Sequence, residues 1–161
     1  MTINVESTLA GTTWRLGQIH HVGITVGDIE RSVRFYRDLL GLTLVRRREV
    51  EADYVTQQTG YAGVRLSVAS FESPGSGPSL ELAQYVTHAG EQSDQATNRP
   101  GNSHLCLRVD NLRAAYQDLR AQGVRFRSEP VSITAGPNQG GLVVYLYDPD
   151  GHIVELFQAP A

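Results

Sequence analysis

The sequence contains no lysine, because all 14 of its basic residues are arginine. Chemistry through a lysine Schiff base, including the usual attachment of pyridoxal phosphate, is therefore excluded. Cysteine is almost as scarce, since Cys106 is the single one in the chain. One thiol can form neither an intrachain disulfide nor a cysteine-rich zinc cluster.

Long apolar runs and an excess of basic charge are missing as well. No apolar run approaches the ~18 residues that a membrane span needs. The segment from Met1 to Gln18 lacks the basic start and apolar middle of a secretion signal, so we expect a cytoplasmic protein. With 14 basic and 17 acidic residues, the chain has a net charge of −3. It therefore lacks the basic surface that is typical of nucleic-acid binding.

Two segments of the chain resemble each other, and each predicts a strand followed by a helix. Alternating apolar residues predict the first strand over His21–Val26 and its counterpart over His104–Val109. Asp28 and Asn111 follow these strands as candidate helix N-caps. The two helices are predicted over residues 29–40 and 112–122.

Further β-type runs follow each predicted helix, so each half of the chain has the pattern βαβββ. The runs are Leu42–Val50, Gly63–Phe71 and Ser79–Val86 in the first half, and Val124–Phe126, Gly141–Tyr147 and His152–Phe157 in the second. This pattern predicts an α+β fold of two tandem βαβββ modules. The expected divisions are an N-terminal extension (1–18), a first module (19–87), a linker (88–102) and a second module (103–161).

Each half carries a histidine and a glutamate at matching positions. His21 and His104 begin the first strands, whereas Glu81 and Glu155 lie between apolar residues in the last strands. A lone strand residue of either type usually faces solvent, but solvent exposure does not predict the same pair in both halves. A carboxylate buried among apolar neighbours needs a partner, and two imidazoles with two carboxylates suit a divalent ion of intermediate softness. The pattern therefore favours one metal centre.

The motifs around these residues resemble the vicinal oxygen chelate superfamily. They are His20-His-Val-Gly-Ile-Thr-Val-Gly-Asp28, Phe35-Tyr36, Leu40-Gly41, Glu81-Leu82, His104-Leu-Cys-Leu-Arg-Val109 and Asp148-Pro-Asp-Gly-His-Ile-Val-Glu155. The resemblance covers Ile19 to Gln158 and implies two modules whose curved mixed sheets surround a metal cleft. It places the metal ligands at His21, Glu81, His104 and Glu155. His21 is preferred to His20 because it stands five residues before Val26, as His104 stands before Val109.

The resemblance leaves several functions open. A complete set of four ligand positions is similar to glyoxalase I and methylmalonyl-CoA epimerase, which implies proton removal next to a carbonyl through a metal-stabilised enediolate. Glu155 and Glu81 are then the catalytic carboxylates, and the cofactor is one divalent ion (Zn, Ni, Co, Mn or Fe). The alternatives are an Fe(II) extradiol-type dioxygenase and a metal-free binding or resistance protein. The resemblance also implies a homodimer that acts on a small-molecule substrate.

Arginines are the candidates for binding that substrate. Arg108 shares the strand face of His104, roughly 13 Å away by strand rise, and is our candidate for holding a substrate carboxylate or phosphate. The alternative is an exposed or salt-bridged side chain. The run Arg46-Arg47-Arg48 suits either attraction of an anionic substrate or a solvated strand edge. At the position of Thr25, bacterial glyoxalase I, which this chain resembles, has an arginine that serves glutathione. The absence of that arginine argues against glutathione as part of the substrate.

Overall fold

The computed structural model describes residues 13–73, 75 and 77–160, and within these ranges the chain forms two four-stranded sheets. The elements are β1 (His21–Thr25), α1 (Ile29–Arg34) continued by a π-helical turn (Phe35–Leu39), β2 (Thr43–Val50), α2 (Asp53–Thr59), β3 (Leu66–Glu72), β4 (Ser79–Tyr85), β5 (His104–Arg108), α3 (Leu112–Ala121), β6 (Val131–Ser132), β7 (Leu142–Tyr147) and β8 (Ile153–Gln158). The predicted α+β fold class is confirmed. Residues 1–12 of the predicted N-terminal extension lie outside the described ranges, as does Ala161.

The two sheets repeat one topology. Their strand orders are β1-β4-β3-β2 and β5-β8-β7-β6, and in each sheet the first and last strands of the module run parallel at one edge. Gly23 lies opposite Glu81 in the first sheet, and Cys106 lies opposite Glu155 in the second. Each histidine stands two residues before that Gly or Cys, so the two His/Glu pairs occupy equivalent places, as the repeat predicts.

The predicted helix caps form in both halves. The Asp28 side chain accepts a hydrogen bond from the backbone nitrogen of Arg31 at 3.0 Å, and Asn111 accepts one from Ala114 at 3.1 Å. Each bond satisfies one of the amide groups that the first turn of a helix leaves without a partner. The sequence pattern of strand, Asx residue and apolar helix therefore predicts both helix starts correctly.

A second pair of bonds joins each helix to the strand that carries the glutamate. The side-chain oxygen of Gln84 accepts a hydrogen bond of 3.0 Å from the backbone nitrogen of Ile29. Gln158 does the same for Leu112 at 2.8 Å. Because each glutamine lies three residues after a site glutamate, these bonds fix β4 and β8 against the starts of α1 and α3.

One apolar core contains residues from both halves. It is formed by the helix-facing sides of the two sheets together with α1 and α3, and its fully buried members include Tyr36, Phe71, Leu82, Leu112, Leu146 and Val154. The Tyr36 hydroxyl donates a hydrogen bond of 3.1 Å to Asp148 of the other half. The backbone nitrogen of Gly27 likewise donates to Asp150 at 3.1 Å, and Arg31 forms an ion pair with the same carboxylate. Since the helix-facing sides share this core, the opposite sheet faces, which carry the His/Glu pairs, point away from it.

The structure differs from the sequence prediction at two elements. The run Val124–Phe126 does not form a strand, because Phe126 makes only an isolated antiparallel bridge to Leu146. Its ring packs edge-to-face against Tyr116, with 4.7 Å between the ring centroids. The strand that pairs with β7 at this edge is the short β6, which starts at Val131, after Pro130. The helix α2 was not predicted, since Val55 is its one buried residue and no apolar periodicity marks it.

The described helices are all short. The longest regular α-helix among them, α3, has ten residues. None of those within the described ranges has the length and apolar character that crossing a membrane requires.

Candidate functional site

The second sheet brings together His104 and Glu155. Nε2 of His104 lies 2.9 Å from Oε2 of Glu155, and the two side chains are 44% and 17% exposed. His104 starts β5, and Glu155 lies on the neighbouring strand two positions further along. The pair is therefore fixed by strand register and joins a mostly covered carboxylate to an accessible imidazole.

Cys106 and Tyr145 complete the surroundings of Glu155. Burial and the nearby Glu155 carboxylate raise the pKa of the Cys106 thiol to about 11. The same two causes, burial and then Glu155, raise the pKa of the Tyr145 hydroxyl. Both groups therefore stay protonated at neutral pH, so Cys106 is no nucleophile here, and each is a proton donor beside a carboxylate.

Tyr145 is a site residue that the sequence reasoning missed. It lies opposite Glu155 in the antiparallel pairing of β7 with β8, and its ring centroid is 5.5 Å from that of His104. The sequence contains a usable signal, because Tyr145 and Glu155 each stand five residues from Asp150 in the turn. Residues at equal distances from a hairpin turn face each other across the strands.

The first sheet holds Glu81 with different partners. An Nη2 atom of Arg48 lies 3.3 Å from Oε2 of Glu81, and the Ser70 hydroxyl donates to the same oxygen at 3.5 Å. His21 instead lies next to His20, with 2.8 Å between their Nδ1 atoms. Glu81 is therefore held from β2 and β3, whereas His21 is exposed at the start of the edge strand β1.

The described residues of one chain do not gather a metal centre. Among them, no three His, Cys, Asp or Glu side chains lie close enough together to hold a metal ion. Of the four ligands expected from the sequence, His104 and Glu155 form a close pair on the second sheet. On the first sheet, Glu81 contacts Arg48 and His21 contacts His20. A single chain thus does not fit a four-ligand ion, and the assignment of these residues stays a prediction.

Arg108 lies at the end of β5, opposite Phe157. Its side chain is exposed and makes no ion pair within the described ranges. Its expected role in substrate binding also stays a prediction.

A buried polar group at the β7–β8 turn links the second half to the first. Asp148 is 3% exposed and accepts hydrogen bonds from the backbone nitrogens of Asp150 (2.9 Å) and His152 (2.8 Å) as well as from Tyr36. Burial raises the pKa of Asp148, which these bonds oppose. Burial lowers the pKa of His152, an effect that Asp148 opposes and His104 reinforces. The motif Asp148-Pro-Asp-Gly151 is thus an anchor between halves rather than only a turn.

A polar cavity of about 690 Å³ lies beside the first sheet and the linker. Its lining includes Gly23 and Thr25 of β1, the aromatic residues Tyr61 and Tyr85, and His152 of the second half. Gly23 is the residue opposite Glu81, so the cavity borders the face of the sheet that carries the first His/Glu pair. It has room for a small polar metabolite.

Comparison with known sequences identifies relatives along most of the chain. A sequence model described as the glyoxalase/bleomycin resistance protein/dioxygenase superfamily matches residues 18–156. A 2-epi-5-epi-valiolone epimerase of an Actinomyces species is 32% identical over 89% of this chain and 80% of its own length. The human mitochondrial methylmalonyl-CoA epimerase is 31% identical over 98% of this chain and 86% of its own. The lactoylglutathione lyase of Salmonella typhimurium is 32% identical over 86% and 90%.

Solved structures share the fold at lower sequence identity. A glyoxalase family protein from Bacillus cereus superposes with a TM-score of 0.81 at 19% identity, over 92% of this chain and 98% of its own. A protein described as a glyoxylase/bleomycin resistance protein/dioxygenase domain, from Frankia sp. EAN1pec, superposes with a TM-score of 0.65 at 24% identity, over 90% and 99%. The paired βαβββ architecture is therefore shared by these proteins over almost their whole length.

Proposed function

Because the chain belongs to the glyoxalase/bleomycin resistance protein/dioxygenase superfamily, we propose that it is an epimerase, isomerase or lyase that moves a proton on the carbon next to a carbonyl. Its relatives at about 30% identity are named as two kinds of epimerase and a lyase. The substrate would be a small oxygenated metabolite. The observation that carries the proposal is the pair of Glu155 and His104 at 2.9 Å on the face of the second sheet that points away from the apolar core.

Glu155 suits the role of the general base. Its carboxylate is 17% exposed, so it is partly withdrawn from water and can still reach a substrate carbon. His104 holds one carboxylate oxygen, which leaves the other to accept a proton. The protonated thiol of Cys106 and hydroxyl of Tyr145 lie next to Glu155 and can donate hydrogen bonds to a substrate oxygen that gains negative charge.

We propose further that two chains together supply the metal ligands. One chain presents its two half-sites away from the shared core, and β1 and β5 lie at sheet edges whose outer sides are not paired within the described ranges. Next to His21, the apolar side chains of Ile19 and Val22 are 70% and 39% exposed. Unpaired strand edges and exposed apolar residues favour association. A homodimer would join His21 and Glu81 of one copy with His104 and Glu155 of the other.

A divalent ion, when bound there, stabilises negative charge on a carbonyl oxygen. Zn, Ni, Co, Mn and Fe all accept imidazole and carboxylate ligands. The proposed dimer is tested by light scattering together with metal analysis, since one ion per chain should accompany the dimer and His104→Ala should reduce metal content. A fully metal-loaded monomer would refute the shared site.

The reaction is tested by deuterium exchange. Metal-loaded protein is incubated in D₂O with 2-methyl thioesters, 2-hydroxy-ketones and cyclic polyol ketones, and deuterium is expected at the carbon next to the carbonyl. Glu155→Gln should slow this exchange by about 100-fold or more, because the base is lost. Glu51→Gln is the matched control, since Glu51 is exposed and remote from both pairs in the sequence. Oxygen consumption with a catechol and no exchange with any of these compounds would favour the dioxygenase instead.

A further inference from the structure

Three consecutive arginines on β2 alternate between the two faces of the first sheet. Arg47 points to the helix side, where one of its Nη atoms lies 2.6 Å from a carboxylate oxygen of Glu30 on α1. Successive side chains on a strand point to opposite faces. Arg46 and Arg48 therefore lie on the other face, which carries Glu81.

The strand register places these arginines in the row of Glu81. Arg46 lies opposite Ser70, which in turn lies opposite Glu81. Arg48 reaches diagonally across the same face to Glu81, with 3.3 Å between nitrogen and oxygen. The Arg48 guanidinium thus contacts Glu81, and Arg46 shares the strand row and the sheet face of that glutamate.

Folding stability does not account for this arrangement. Arg48 is 43% exposed and Glu81 is 25% exposed, and ion pairs at such positions contribute little to stability. Arg46 is exposed and makes no ion pair within the described ranges, and neither does Glu72 on the same face of β3. The face thus carries two arginines and two glutamates, and only Arg48 and Glu81 form an ion pair within the described ranges. Arg46 therefore keeps a guanidinium group that is available to an anion.

We propose that Arg48, assisted by Arg46, binds an anionic group of the substrate, a carboxylate or a phosphate, and that Glu81 holds Arg48 while the site is empty. The guanidinium group matches either anion with two parallel hydrogen bonds. The anion and Glu81 compete for Arg48, so an arriving anion releases the Glu81 carboxylate. This inference rests on the proposed function only in placing the substrate beside Glu81.

The first test measures anion binding without turnover. Metal-free protein is titrated with inorganic phosphate and, separately, with malonate, and binding is followed by calorimetry. Arg48→Gln should weaken binding of at least one anion by about tenfold or more, because a charge-assisted bond is lost. Arg47→Gln is the matched control, since it removes the same charge from the adjacent residue on the opposite face. The anion that responds identifies the group.

Two results would overturn the proposal. One is a wild-type protein that binds neither anion, and the other is equal weakening by Arg47→Gln and Arg48→Gln, which would indicate only a general effect of charge. Circular dichroism on both variants establishes that they fold, since both lie on one strand. If Arg48 binds anions but no deuterium exchange occurs, the proposed function fails and the anion site remains.

A second variant tests the competition. Glu81→Gln removes the residue that holds Arg48, so it should tighten anion binding by about two- to fivefold. In the Arg48→Gln background the same change should have a smaller effect, because the competition is already gone. Unchanged or weaker anion binding in Glu81→Gln would show that Glu81 does not compete with the anion for Arg48.

Discussion

The carboxylate of Glu155 lies 2.9 Å from the imidazole of His104, and its charge acts on the thiol of the residue opposite it in the sheet. The register that makes this pair also places Cys106 beside Glu155. The thiol therefore reports on the charge of the proposed base, and it does so in protein without substrate or metal.

We expect Glu155→Gln to lower the pKa of Cys106. Burial, the larger cause, and the Glu155 charge raise that pKa from 9.0 to about 11 in the wild type. Removal of the charge should therefore lower the pKa part of the way, while the contribution of burial stays. The measurement is the rate of alkylation by iodoacetamide as a function of pH. Glu51→Gln serves as the control. A wild-type pKa near the ordinary value, or an identical profile in Glu155→Gln, would contradict the arrangement.

The stability of the fold should fall as the pH falls through the range below about 6.5, in part because of His152. Burial lowers the pKa of His152 from its ordinary value of 6.5. In that range His152 binds a proton in the unfolded chain more readily than in the folded chain, so protonation favours the unfolded state. Urea unfolding at pH 7.5 and 5.5 measures the loss, and His152→Gln should make it smaller.

His88→Asn is the comparison for that experiment. His88 is exposed and has a positive φ of 61°, a conformation that asparagine tolerates. The free energy of unfolding of His88→Asn should fall between pH 7.5 and 5.5 by the same amount as that of the wild type. If both variants lose the same amount of stability on acidification as the wild type, His152 is not the cause.

Tyr36→Phe should destabilise the fold by about 1–3 kcal/mol. The Tyr36 hydroxyl is buried and donates to the buried Asp148 of the other half, so the substitution leaves an acceptor without that donor. Chemical denaturation measures the change. Tyr54→Phe removes a hydroxyl from a ring that is 58% exposed and should change stability very little. Equal effects in the two variants would show that the hydrogen bond across the halves is of no consequence.

The bonds from Gln84 and Gln158 to the helix starts should each be worth about 0.5–2 kcal/mol, the range found for residues that satisfy the first amides of a helix. We expect Gln158→Ala to lower the unfolding free energy by that amount, because the Leu112 nitrogen loses its 2.8 Å partner. Gln57→Ala, in the exposed part of α2, is the control. No difference between the two would show that water replaces the glutamine fully.

The features that the sequence predicted correctly depend on local signals. Asp28 caps α1 because its side chain needs to reach an amide only three residues away. The equivalence of Glu81 and Glu155 follows from period two in strands that each pair in the same register. Such patterns are visible in the printed sequence, and they fix the modules and the sheet faces.

The features that were missed depend on contacts between distant segments. Arg48 contacts Glu81 across two strand pairings, 33 positions along the chain. Period two places Arg47 and Arg48 on opposite faces, but it does not show which of them shares a face with Glu81. Helix α2 has one buried residue, Val55, so it lacks the apolar periodicity that predicts a helix. The four expected ligands lie on two different sheets, His21 and Glu81 on the first and His104 and Glu155 on the second. The distance between the two sets depends on how the halves pack, and the pattern of residues along the strands does not determine that packing.

The contacts of Asp148 and Asp150 with Tyr36 and Gly27 also bear on how the two halves lose their structure. Each half contributes to the same apolar cluster and anchors a buried polar group of the other. Neither half can open without exposing apolar surface of its neighbour and breaking these bonds. We therefore expect the two copies, which are distinct in the sequence and the topology, to unfold together as one cooperative unit with a single thermal transition.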